Sequence, residues 1–220
     1  MNRKKIIIWG INLGLLLTVL ILAWIFGPSV ITEARYRQDV KAAAGGKPTA
    51  GFSAIMVSLS GFNKLTTTDI IKPLSSQFGL VIPKIFVNVA VTENVNPDDV
   101  KEYQTVLKQA GGVAHAAGTS VPGEGGTVYI FGHSTDATLN VERFNAVFYL
   151  LNKLVPGDKI IAYYNDVPYN YIVSEKKVVN PTDISDITSV SDAPRLVLQT
   201  CWPPGTTWKR LLIIALPEQI

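Results

Sequence analysis

The chain has 220 residues, with 20 lysines and arginines against 17 aspartates and glutamates, two histidines and a single cysteine. The length suits one domain plus an appendage. A net charge of +3 without a basic stripe excludes nucleic-acid binding of the electrostatic kind, and one cysteine excludes an intrachain disulfide. Without Arg3, Lys4 and Lys5 the chain is neutral, so the excess charge belongs to the N-terminus.

Residues 6–26, IIIWGINLGLLLTVLILAWIF, carry no charge, and Asn12 and Thr18 are the only clearly polar side chains among them. As a helix rising ~1.5 Å per residue, the run spans the ~30 Å hydrocarbon core of a bilayer. Trp9 and Trp24 lie near its ends, where amphipathic rings favour the interface. Arg3, Lys4 and Lys5 precede it, so the positive-inside rule makes 1–5 a cytoplasmic tail and sends the rest of the chain outside. The run is longer than a signal-peptide core, and the nearest small-residue cluster, Ala42–Ala44, is far downstream. An uncleaved transmembrane anchor over 6–26 is therefore expected. Polar and small residues over 27–50, ending AAAGGKPTAG, read as a stalk. Residues 51–77 read as an N-terminal extension, with a short strand over Phe52–Leu59 and, within Thr66–Gln77, a turn and a weak helix capped by Thr68.

The regular domain is expected over 78–220. Leu80–Ile82 and Ile85–Val91 are strand-like, with Pro83 between them. Asn96-Pro97-Asp98-Asp99 supplies a cap, a proline and first-turn acids for a helix to about Gln109, stopped by Gly111-Gly112. Val113–Gly126 reads as a long loop, and TVYIFGH as a strand ending at His133. Asn140 can cap a helix over Val141–Leu154, whose Phe144, Val147, Phe148 and Leu151 share a face. Lys159–Tyr164 and Tyr169–Val179 are strands joined by a turn at Asn165–Pro168, and Asp183–Asp192 is a polar connection. Arg195–Leu216 then reads as two strands. Leu196–Leu198 leads to Gln199-Thr200-Cys201, Leu211–Ala215 follows Lys209-Arg210, and Pro203, Pro204 and Gly205 break the chain between them. Many strands, few short helices and turn-rich joints predict a mainly β fold: a mostly antiparallel β-barrel with helices on its flanks.

Three residues are candidates for chemistry. Cys201 ends one strand and Arg210 begins the next; if these strands are neighbours, thiol and guanidinium face each other across the loop. A lone cysteine is usually a small buried apolar side chain, but an odd thiol on an exported chain is flagged as a reactive or intermolecular one. His133 ends its own strand after Gly132, a residue that permits close approach. His115 lies in the expected loop and reads as structural. Asp136 is a loop acid of no special standing. His115, His133 and Cys201 lack zinc-site spacing, and the acids around Asp98 and Glu102 form no calcium loop, so neither metal nor cofactor is expected.

His133 in FGH, Cys201 in LQTC and Arg210 heading RLLIIA resemble the histidine, cysteine and arginine of the sortases, membrane-anchored cysteine transpeptidases of bacterial cell surfaces. The similarity runs over about 80–216 and includes GTSVPGEGG before the histidine strand, PGDKI after the expected helix, and the spacing C-x-P-x-G-x-x-x-x-R. The short Cys-to-Arg loop is similar to that of sortases outside the class A type. In one departure, the family's T-L-x-T-C becomes Val197-Leu198-Gln199-Thr200-Cys201. The resemblance implies a closed antiparallel or mixed barrel behind the transmembrane helix, with the catalytic domain extracellular. It implies that Cys201 attacks the Thr-Gly bond of an LPxTG-like sorting signal, that His133 protonates the departing amine and that Arg210 holds the oxyanion. Thr200 and Trp202 are the expected substrate-binding residues. Implied partners are surface proteins with a C-terminal sorting signal and an amine from a cell-wall precursor or a pilin lysine. Two other readings remain open: a papain-like cysteine peptidase, disfavoured because the cysteine follows the histidine, and a non-catalytic anchored peptide-binding domain.

Overall fold

In the computed structural model, which describes residues 3–44, 72–108, 112–134, 147–188 and 193–218, nine strands form one sheet. They are β1 (Phe78–Ile82), β2 (Val87–Ala90), β3 (Thr92–Val95), β4 (Val113–Ala116), β5 (Thr127–Gly132), β6 (Lys159–Tyr164), β7 (Val167–Val179), β8 (Arg195–Trp202) and β9 (Lys209–Pro217). Their spatial order is β2-β1-β6-β7-β9-β8-β5-β4-β3. The two edge strands, β2 and β3, are separated in the chain by Val91 alone, so the backbone itself curls the sheet until its edges adjoin. Side chains bridge the seam. The Phe78 ring of β1 meets the His115 ring of β4 at 5.4 Å, and Tyr164 at the end of β6 donates its hydroxyl to Glu93 of β3 at 2.9 Å. The β3–β4 and β5–β8 pairs are parallel and the others antiparallel, making a mixed, nearly closed barrel.

Alternation along the strands buries apolar side chains on both faces of the sheet. Val128 and Ile130 of β5 join Leu80, Ile82, Leu196, Leu198 and Ile213 in the barrel interior. Tyr129 and Phe131 point the other way but are buried too, sharing a second cluster with Val106 and Leu107 of helix α2 (Val100–Leu107). A strand covered on both faces reads as an unbroken apolar run, which is why TVYIFG shows no polar phase.

Helix α2 starts later than its sequence suggests. Asp99 is the cap, accepting from the Lys101 and Glu102 amides at 2.9 and 3.0 Å, while Asn96 accepts from the Asp98 amide, leaving Pro97 in the turn ahead. The helix ends at Leu107; 109–111 lie outside the described residues. The expected loop over Val113–Gly126 begins instead with strand β4. Its VAHA has weak β-propensity, but Ala114 and Ala116 are small enough to lie in the α2 cluster, and tertiary packing overrides the local preference.

Two other elements differ from expectation. Residues 72–77, placed in a weak helix, form bends and include Pro73; the rest of that helix and the strand over 52–59 lie outside the described residues. In the expected helix over 141–154, Tyr149–Lys153 is a single 3-10 turn, and 141–146 are not described. At the β6–β7 turn, Asn165 and Asp166 take φ of 47° and 68°, the positive pair of a two-residue hairpin. Within the polar connection, α3 (Ser185–Thr188) is held by Asp186, which meets Lys177 at 2.6 Å and receives the Arg195 guanidinium on its backbone carbonyl at 2.7 Å.

At the N-terminus α1 runs over Arg3–Ala44, and its side chains at 8–23 are all exposed, Trp9, Leu15 and Val19 among them. Among the described residues, no helix is long and apolar enough to cross a membrane. Farther along α1, Glu33 pairs with Lys153 of the barrel at 2.9 Å.

Candidate active site

Strands β8 and β9 pair as an antiparallel hairpin in which Cys201 lies directly opposite Arg210, and Trp202 opposite Lys209. The nine-residue spacing in sequence thus collapses to one cross-strand step, which brings side chains of a pair within ~5.5 Å at Cβ. On its other side β8 runs parallel to β5, with Phe131 opposite Gln199. Continued two residues, that register brings His133 level with Cys201.

Two contacts hold the end of the histidine strand. Thr200 donates its hydroxyl to the Gly132 carbonyl at 2.9 Å, and the Phe148 amide donates to the His133 carbonyl at 3.2 Å. Gly132 has no side chain for a packing reason, since a Cβ there would stand 3.0 Å from the Phe148 ring.

His133, Thr200, Cys201 and Arg210 line one groove of about 700 Å³ on the outside of the barrel. Tyr103 and Leu107 of α2 form one wall, Pro181 and Ile184 another, and Tyr129, Phe131 and Gln199 the floor. Cys201 is half-buried with a free thiol. One terminal nitrogen of Arg210, Nη1, donates to the Thr207 and Lys209 carbonyls at 3.1 Å each. That anchors the guanidinium and leaves Nε and Nη2 without a partner among the described residues. A thiol, an imidazole and a braced guanidinium on one groove can supply a nucleophile, a proton donor and an anion clamp.

Of the other residues singled out from sequence, only Thr200 also lines the groove. Thr200 is 2% exposed, and its hydroxyl proton is committed to Gly132. Trp202 packs against the barrel interior and is not among the groove's lining. His115 is 2% exposed, bonded through Nε2 to Thr119 and Ser120 and through Nδ1 to the Asn94 amide, which is the structural placement expected. Asp136 lies outside the described residues. Among the described residues, no group of three or more His, Cys, Asp or Glu is placed to hold a metal ion. Sequence reasoning missed the floor. Tyr129 donates its hydroxyl to Gln199 Oε1, and burial pushes the Tyr129 phenol well above its ordinary range while the Arg210 charge pulls the other way. Alternation was the available signal: Tyr129 and Phe131 share a face of β5, as Gln199 and Cys201 do of β8.

Barrel and groove together define a class, mixed β-barrels that carry a cysteine and an arginine across one hairpin beside a strand-end histidine. Comparison with known proteins makes it specific: the sequence model described as Sortase domain matches residues 80–218, more than half the chain, and the chain belongs to the sortase family. It is similar to Sortase D of Bacillus subtilis (strain 168), 27% identical over 137 residues, 61% of this chain and 60% of that protein. It is also similar to Sortase A of Listeria monocytogenes, 27% identical over 137 residues, 61% of this chain and 53% of that protein. The chain thus spans little more than half the length of these curated relatives. In fold it is similar to the pilus-related Sortase C of Group B Streptococcus, with a TM-score of 0.54 at 24% identity, covering 83% of this chain and 96% of that one.

Proposed function

We propose that the protein is a membrane-anchored cysteine transpeptidase that cleaves an LPxTG-like sorting signal between Thr and Gly and transfers the acyl group to an amine. The observation that carries this reading is the Cys201–Arg210 register, with His133 lining the same groove. Cys201 as thiolate adds to the threonine carbonyl, forming a tetrahedral oxyanion. The free face of the Arg210 guanidinium takes that charge through its planar N–H donors. His133 as imidazolium gives its proton to the departing glycine nitrogen, the C–N bond breaks and a thioester remains on Cys201. An amine from a cell-wall precursor or a pilin lysine then attacks the thioester and releases the thiol. Thr200 serves this step by tying β8 to β5, and Trp202 by seating the strand end in the core.

Residues 6–26 form the membrane anchor, with 1–5 cytoplasmic, 27–50 a stalk, 51–77 an extension and 78–220 an extracellular catalytic domain. The charge-free run and the exposed apolar side chains of α1 at Trp9, Leu13, Leu16 and Leu20 support this.

The test is incubation of the full-length protein in detergent with a fluorogenic LPxTG peptide and a glycine amine. Ligation to the amine is the expected result. Hydrolysis indifferent to the amine would favour a peptidase, and binding without turnover a non-catalytic domain.

A further inference from the structure

The mouth of the barrel away from the catalytic groove holds a second cavity, of about 640 Å³. It lies where β5 and β8 begin and β9 ends, lined there by Gly123, Pro194 and Pro217. His133, Cys201 and Arg210 stand at the other ends of those strands. From Pro194 along β8 to Cys201 the extended chain covers roughly 23 Å.

Two tyrosines give this cavity its chemistry. Tyr169 and Tyr171 are two apart on β7, so they share its inward face ~7 Å from one another. Tyr171 is 3% exposed; its ring lies in the interior core and its hydroxyl end meets the cavity. Burial, and then the neighbouring Tyr169, hold that phenol up at about 12, so it stays a neutral donor. Gly123, at φ 95°, lets the loop ahead of β5 lie against the tip of the Tyr169 ring, where a Cβ would collide with the hydroxyl. Neither hydroxyl has a partner among the described residues. A buried phenol usually finds one, and an unmet donor inside a walled cavity is favourable to satisfy.

The rim says what satisfies them. Lys159 pairs with Glu218 at 2.9 Å, and Glu124 adds a second carboxylate, so the described lining sets one ammonium against two carboxylates. An anionic ligand is repelled, because the cation is already paired. An apolar ligand would leave both phenols unmet. The phenols call for acceptors, the carboxylates for donors, and the proline and tyrosine rings for an apolar face. A chain of sugar rings carries all three, in its ring oxygens, its hydroxyls and its C–H faces. A proline-rich peptide has the acceptors and the apolar face, but its prolines lack the N–H donors. The volume is that of a small-ligand site, and barrel mouths are a common place for one.

We propose that this cavity binds a neutral saccharide chain, at a site separate from the catalytic groove and independent of the transpeptidase reading. Tyr169 and Tyr171 donate to its oxygens, and Glu124 and Glu218 accept from its hydroxyls.

The experiment uses the full-length protein in a detergent without a sugar headgroup and reads binding by saturation-transfer NMR titration. The ligands are triacetylchitotriose and maltotriose, which are neutral, trigalacturonate, which carries carboxylates, and a proline-rich peptide. A neutral trisaccharide is expected to bind, with trigalacturonate roughly fivefold or more weaker, the size of one like-charge contact in water. Tyr169→Phe and Tyr171→Phe should each weaken the neutral ligand roughly threefold to tenfold, the size of one hydrogen bond. Their melting temperatures should match wild type, since neither hydroxyl bonds to the described protein. Arg210→Lys, at the far end of the barrel, should bind the saccharide as wild type does. Weakened binding in Arg210→Lys would put the ligand in the catalytic groove and overturn the proposal. So would binding indifferent to both tyrosine variants, trigalacturonate binding as tightly as the neutral ligands, or the peptide binding in their place. Absence of binding by both neutral trisaccharides at millimolar concentration overturns it too. None of these results bears on ligation of the sorting peptide, which is measured separately.

Discussion

Thr200 donates its hydroxyl to the carbonyl of Gly132 at 2.9 Å, from a side chain in a residue only 2% exposed. The bond joins the residue before the thiol to the residue before the imidazole, so it sets the spacing between two strands that no side chain of the reacting groups could set for itself. Thr200→Val keeps the shape and removes the donor. It should cost ~1–2 kcal/mol of stability and lower kcat with little change in KM, while Thr200→Ser restores both. Chemical denaturation and steady-state kinetics measure the two effects, and a Thr200→Val enzyme with unaltered kcat would show that the bond is structural only.

Arg210→Lys preserves the charge but replaces a planar fork with a point charge on a flexible stem. A lysine ammonium holding the Thr207 and Lys209 carbonyls keeps at most one donor for an oxyanion, on a stem that nothing braces, where the guanidinium keeps Nε and Nη2 in a fixed plane. Turnover should fall roughly a hundredfold or more with the melting temperature nearly unchanged. Near-normal kcat would remove Arg210 from the mechanism.

Cys201→Ala should bind peptide and form no acyl adduct, read as intact-protein mass after incubation with substrate. Cys201 is the one thiol in the chain, so an adduct surviving in this variant would place the nucleophile on another residue type.

Burial pushes the His115 imidazole below its ordinary value of 6.5, against the Ser120 carbonyl and the charges of Glu93 and Glu124, which pull it up. The Asn94 amide donating to Nδ1 has no place beside a protonated ring nitrogen. The folded chain therefore takes up this proton at lower pH than the unfolded chain does. Its contribution to stability is full above pH 6.5 and is lost as the pH falls from there through the depressed folded value. His115→Gln should flatten the acid limb of a plot of melting temperature against pH. An unchanged slope would assign that limb to other groups.

Among the described residues, Ser134 Oγ is buried with no hydrogen-bond partner, one residue beyond His133. Removing an unsatisfied hydroxyl costs no bond and relieves a desolvated polar atom. Ser134→Ala should leave stability unchanged or raise it by up to ~1 kcal/mol. A marked loss in a denaturation curve would reveal a partner for this hydroxyl in solution.

Much of the barrel was legible because its strands carry strong local signals. TVYIFG, KIIAYY and the paired runs around Cys201 are apolar, β-branched or aromatic, and are bounded by turn-formers. VAHA was not legible as β4, because alanines become strand residues only when a helix lies close enough to need small side chains there. The late start of α2 was hidden for a related reason. Asn96 and Asp99 are both competent caps, and the choice went to the one whose helix buries Val106 and Leu107.

The order of residues along the chain was enough to single out Cys201, Arg210 and His133, since each is a chemically distinct side chain at the end of a strand-like run. Whether they meet is a matter of register, and register depends on pairing between strands remote in sequence: β5 alongside β8, β8 against β9. The Tyr129–Gln199 pair belongs wholly to that second level. Seventy positions apart, these residues touch only because a parallel pairing sets their strands side by side on one face, and hydrogen bonds between side chains are made by distance in space alone.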